Sequence, residues 1–87
     1  MKVQHRRPAE WRWDVVRSVN YYQQIVRRLP SADRWAYSLM EDMGYPRKQA
    51  LACLEDADTE GLIEYGVSLR AAWLTDAGRR MLLEGRP

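Results

Sequence analysis

From about Ala9 to Leu29 the apolar positions keep a helical spacing. Trp11, Val15, Val19, Tyr22, Val26 and Leu29 recur every three or four residues and form one stripe on a helix. Tyr21 and Ile25 widen it, while Arg12, Arg17, Asn20, Gln23, Gln24 and Arg27 fall on the other side. Trp13 and Val16 break the pattern, because both lie on or near the polar face. Such a helix is roughly 30 Å long and ends at Pro30, which cannot continue it. Ser31 then caps a second helix, whose stripe is Ala32, Trp35, Ala36, Leu39, Met40 and Met43 and whose stop is Gly44. Pro46 suits the first position of a third helix, reaching about Glu60, with Ala50, Cys53, Leu54 and Ala57 on its apolar side. After Gly61 the period changes. Leu62 to Tyr65 and Ala71 to Leu74 read as two short strands joined by a tight connection over Gly66 to Arg70. Thr75 caps a last short helix containing Ala77, Met81 and Leu82. The expected order is helix, helix, helix, hairpin, helix, with Trp11, Trp35 and Trp73 in the core.

The segment from Leu39 to Leu83 carries an ordered set of features. Gly44 closes a short helix, and Ala50, Leu51 and Leu54 set the register of the next. Gly61, Leu62 and Ile63 then lead into the hairpin, and Leu74, Thr75, Gly78 and Arg79 open the closing helix. This set resembles the winged helix-turn-helix of MarR-, PadR- and ArsR-type regulators, over about half the chain. The fold class implied is mainly α (α+β), a winged helix-turn-helix with a long N-terminal helix and a two-stranded wing. Residues 1–8 read as a mobile basic arm and residues 9–87 as a single domain.

The resemblance implies a DNA-binding regulator whose helix after the turn lies in the major groove. Arg47, Lys48 and Gln49 then stand nearest the bases, where Arg or Lys suits guanine and Gln suits adenine. Ser31 and Arg34 reach phosphates, Arg70 on the wing reaches flanking backbone or minor groove, and Arg6 and Arg7 on the arm add further contacts. Isolated winged helices of this size act as dimers, since two half-sites multiply affinity. The dimerisation candidate is the N-terminal helix, with Trp13, Val16 and Tyr21 outside the intradomain stripe.

Charge complicates that picture. The 87 residues hold 14 Lys plus Arg against 12 Asp plus Glu, a net +2. Residues 1–30 carry seven cations and two anions, whereas residues 31–87 carry seven cations and ten anions. Glu55, Asp56, Asp58, Glu60 and Glu64 run along the far half of the third helix and into the strand, and near DNA they repel phosphate. Val67 and Leu69 sit at a hairpin tip that should be solvated, which suits packing on protein. The competing expectation is therefore a protein-interaction module of the same fold, such as a phage protein that docks on a host protein without binding DNA. Twelve of the 14 cations are Arg, a bias that fits a high-GC bacterial genome or its phage.

Chemistry beyond binding has little to work with. The one Cys, Cys53, falls in apolar register as a buried thiol, and the one His, His5, lies in the arm without neighbouring ligands. These cannot assemble a disulfide or a four-ligand zinc site. The sequence contains no nucleophile–base pair, carboxylate dyad or phosphate-cradling glycine loop, so neither an enzyme nor a cofactor is expected. No apolar run is long enough for a signal peptide or a membrane span, and a cytoplasmic setting follows.

Overall fold

The computed structural model describes residues 7–28, 35–66 and 72–85. In chain order the elements are α1 (Trp11–Gln24), a 3-10 turn (Val26–Arg28), α2 (Ala36–Asp42), α3 (Arg47–Thr59), β1 (Ile63–Tyr65), β2 (Ala72–Leu74) and α4 (Asp76–Glu84). The described chain is mainly helical, with one two-stranded antiparallel sheet.

Helix α1 is the element around which the others gather, and it touches α2, α3, α4 and β2. Because it is packed from several sides, it buries more than one stripe. Trp11, Val15, Val19, Tyr22 and Val26 are buried as their spacing predicts, and Val16 and Ser18 are buried with them. Val16 is 0% exposed, which corrects its assignment to a partner surface: the elements packed around α1 cover a second side of the helix besides the main stripe, while Arg17 stays exposed. From the other elements Met40, Leu54 and Ile63 are also 0% exposed, and each such side chain contributes about 2 kcal/mol by leaving water.

The α-helical hydrogen bonds of α1 stop earlier than the apolar pattern does. Ile25 still donates to the Tyr21 carbonyl, but the next turn tightens to a 3-10 bond from Arg28 to Ile25. Pro30 explains the tightening, since its ring would clash with the Val26 carbonyl in a continuing α-helix. The second helix is capped at Trp35, not Ser31: Trp35 is extended, at φ −126° and ψ 171°, and its N–H donates to Ser38 Oγ at 3.3 Å. Gly44, at φ +106°, turns the chain from α2 into α3 in a conformation that side-chain-bearing residues rarely adopt. Pro46 precedes α3 as its N-cap and does not occupy the first helical position.

The hairpin pairs Ile63 with Leu74, Glu64 with Trp73 and Tyr65 with Ala72. Side chains alternate across a strand, so burial of Ala72 and Leu74 forces Trp73 outward. Trp73 is 38% exposed, correcting its assignment to the core, and its indole N–H donates to Glu64 Oε2 at 3.1 Å. The backbone N–H of Leu74 donates to Gln23 Oε1 at 3.1 Å, tying β2 to α1. Thr75 links the hairpin base to α4: its hydroxyl donates to the Gly61 carbonyl at 2.5 Å and accepts from the Gly78 N–H at 3.1 Å.

Candidate functional site

Helix α3 buries one side, Ala50, Cys53, Leu54 and Ala57, and carries its cations at its start and its carboxylates in its far half. At the N-terminal end Arg47 and Lys48 are exposed and Gln49 is half-buried. Arg47 Nε lies 3.2 Å from Glu41 Oε2, and the guanidinium stands 5.3 Å from the centroid of the Tyr37 ring. Its side chain remains 65% exposed, so the Glu41 contact is a surface ion pair, worth at most about 1 kcal/mol.

The far half of α3 is met by cations from the N-terminal segment. Arg7 Nη1 lies 2.6 Å from Asp56 Oδ2. Arg12 grips the carboxylate of Glu60 with two bonds, Nε to Oε1 at 2.6 Å and Nη2 to Oε2 at 2.9 Å. Both guanidiniums also lie against Trp11, 4.6 Å and 4.5 Å from the ring centroid. The bond to Arg12 pulls the Glu60 carboxyl below its usual range, and the bond to Glu60 raises the Arg12 guanidinium. Arg7, expected on a mobile arm that touches DNA, is instead engaged with Asp56 and Trp11. The opposite charges of the two blocks are plain in the sequence, and their complementarity was the available signal for this pairing.

A second tie lies beneath this surface. Tyr45 is 5% exposed, and its hydroxyl donates to Asp14 Oδ2 at 2.7 Å. Burial, reinforced by that bond, raises the phenol far above its ordinary range. Burial also raises the Cys53 thiol, in keeping with an unreactive core position. Among the described residues, no group of three or more His, Cys, Asp or Glu is placed to hold a metal ion. None of the described helices is long and apolar enough to cross a membrane.

Protein-family models, curated proteins and solved structures were all compared with this chain, and none matches. The remaining candidates are therefore placed by geometry alone. Trp13 is half-buried and Tyr21 is 51% exposed. Arg6, Ser31, Arg34, Val67, Leu69 and Arg70 lie outside the described residues. Exposed Ile25 and Met43, at 45% and 41%, were missed because helical spacing counts both as core.

Proposed function

We propose that this chain is a winged helix-turn-helix protein that binds duplex DNA in the cytoplasm through the exposed N-terminal end of α3. The observation that carries the reading is the polarity of that helix. Arg47 and Lys48 stand free of the core just after the Gly44 turn, while Asp56 and Glu60 at the other end are occupied by Arg7 and Arg12. The order of elements, two short helices around a turn followed by a hairpin and a closing helix, supports the same reading. In this geometry Arg47 and Lys48 approach base edges or phosphates with their positive charge, and the released counterions favour binding. Arg47 exchanges Glu41 for the nucleic acid at little cost, since the pair it leaves is exposed.

The test is fluorescence anisotropy with labelled random duplex DNA at about 50 and 200 mM salt, a range over which several phosphate contacts produce a steep loss of affinity. Arg47→Ala with Lys48→Ala should weaken binding and lower the salt slope by about 2, while Glu41→Gln, which frees Arg47, should strengthen it. Absence of binding at the lower salt would overturn the reading. An unchanged slope in the double variant would move the interface away from α3.

A further inference from the structure

We propose that the outward face of the hairpin, with the groove beside it, is a docking surface for an arginine-bearing segment of a partner protein. The groove has a volume of about 710 Å³ and is bordered by the far half of α3, the hairpin and the start of α4. Asp58 lines it from α3, Glu64 and Trp73 from the paired strands, and Asp76 and Arg79 from α4. Asp76 and Arg79 pair with each other. The charge left over is that of Asp58 and Glu64, beside a tryptophan that is 38% exposed. Among the described residues no cation neutralises either carboxylate. Glu64 accepts the uncharged indole N–H of Trp73, and the half-buried side chain of Asp58 has no hydrogen-bond or ion-pair partner. A partly desolvated carboxylate without a cation is unfavourable, and an arriving cation relieves it.

The protein itself shows which cation completes such a set. The ring centroid of Trp11 has the guanidiniums of Arg7 and Arg12 at 4.6 Å and 4.5 Å, and each also donates to a carboxylate, Asp56 or Glu60. With both arginines in place Trp11 is 7% exposed. Trp73 has the ring and the two carboxylates without the arginine. Arg27 borders a second cavity with it, but no guanidinium among the described residues lies over its ring. A planar guanidinium stacks on an indole and donates in its own plane to carboxylates, a geometry that an ammonium lacks. Glu64, Trp73, Asp76 and Arg79 are all exposed, so the groove suits a chain segment laid along it better than an enclosed small molecule. Duplex DNA is disfavoured here, because both carboxylates repel phosphate. Asp58 stands roughly 16 Å along α3 from Arg47, so this surface does not depend on whether the start of α3 binds DNA.

The test is heteronuclear NMR of the isotope-labelled full chain, titrated with a hexa-arginine peptide at about 50 mM salt. The reporter is the indole N–H of Trp73, assigned by its disappearance in Trp73→Phe. It should shift saturably. Asp58→Asn with Glu64→Gln should raise the peptide Kd by on the order of tenfold. Trp73→Leu, followed at the Asp76 backbone N–H, should raise it about two- to fivefold. Glu55→Gln removes the same charge from α3 outside the groove and should leave the Kd unchanged. A hexalysine peptide should bind more weakly than hexa-arginine. The charge variants should keep the wild-type circular-dichroism spectrum, since neither carboxylate holds the fold through an ion pair. A Trp73 resonance that hexa-arginine leaves in place would overturn the proposal. So would a Kd that Glu55→Gln raises as much as Asp58→Asn alone, or hexalysine binding as tightly as hexa-arginine, because either would reduce the effect to unspecific charge.

Discussion

Replacing Gly78 by Ala tests how closely α4 is seated against the hairpin. A Cβ at this position would lie 2.1 Å from the Leu62 carbonyl oxygen, 3.2 Å from its carbon and 3.3 Å from Leu74 Cδ2. The oxygen cannot swing aside, because it is backbone and already accepts the Thr75 N–H at 3.2 Å. Relief requires α4 to move away by about 1 Å, which loosens the Leu74 contact and the Thr75 cap together. Overpacking of this kind costs about 1–3 kcal/mol, and a fixed backbone acceptor places it at the upper end. Alanine's helix preference returns at most about 1 kcal/mol. The net loss of about 2 kcal/mol lowers the folded-to-unfolded ratio about thirtyfold. In urea denaturation followed by circular dichroism, with a slope near 1.2 kcal/mol per molar, the midpoint should fall by about 1.7 M. Gly44→Ala is the control: it meets no atom within 4 Å and is strained only by its positive φ, so its loss should be smaller, about 1–2 kcal/mol. A Gly78→Ala chain as stable as the wild type would refute the close approach of α4 to Leu62.

Three further outcomes follow from the buried and paired groups. Tyr45→Phe leaves the Asp14 carboxylate without its donor and should destabilise the fold by about 1 kcal/mol in the same assay. Because the folded-state Tyr45 phenol is raised, its contribution is complete below the unfolded tyrosine pKa and declines as pH climbs toward the folded value; spectrophotometric titration should find one tyrosine that ionises only on alkaline unfolding. Glu60 shifts the other way: its stabilisation is present above the unfolded carboxyl pKa and lost as pH falls through the lowered folded value, so Glu60→Gln should flatten the acid limb of stability against pH. Cys53, 0% exposed with a raised thiol pKa, should react with a disulfide reagent at pH 8 only at the rate of unfolding, and prompt labelling of the native chain would contradict its burial.

The elements were legible where local periodicity decides the structure. The α3 stripe of Ala50, Cys53, Leu54 and Ala57 is buried as spaced, and Thr75 caps α4 as its position suggests. Failures came where tertiary context decides. Val16 shows no period that marks it as core, and only the enclosure of α1 by several elements buries it. Trp73 is apolar and flanked by apolar residues, yet the two-residue alternation of a three-residue strand turns it outward. The Leu74, Thr75, Gly78 and Arg79 set, a marker of resemblance in the sequence, has a structural explanation of its own. Thr75 caps, Gly78 permits close approach, and Arg79 pairs with Asp76 and reaches the Leu74 carbonyl. Those four residues therefore bear on how the hairpin is held and carry no information about what it binds.

The acidic half of α3 was the main argument against DNA, and distance along the helix weakens it. At about 1.5 Å per residue, Asp56 stands roughly 14 Å from Arg47 along the axis, and Glu60 roughly 20 Å. Both exceed the Debye length of about 8 Å at physiological ionic strength, so these carboxylates act only weakly on a phosphate bound at the helix start. Arg7 and Arg12 reduce the effect further by pairing with the same two groups. Glu41 is different, because it is in direct contact with Arg47. The near-neutral total of the chain thus hides a far end of α3 where Arg7 and Arg12 offset two of the four carboxylates Glu55, Asp56, Asp58 and Glu60, and an excess of one positive charge among Glu41, Arg47 and Lys48 at its start. Removing Glu60 should consequently change stability with little effect on DNA affinity, whereas removing Glu41 should do the reverse.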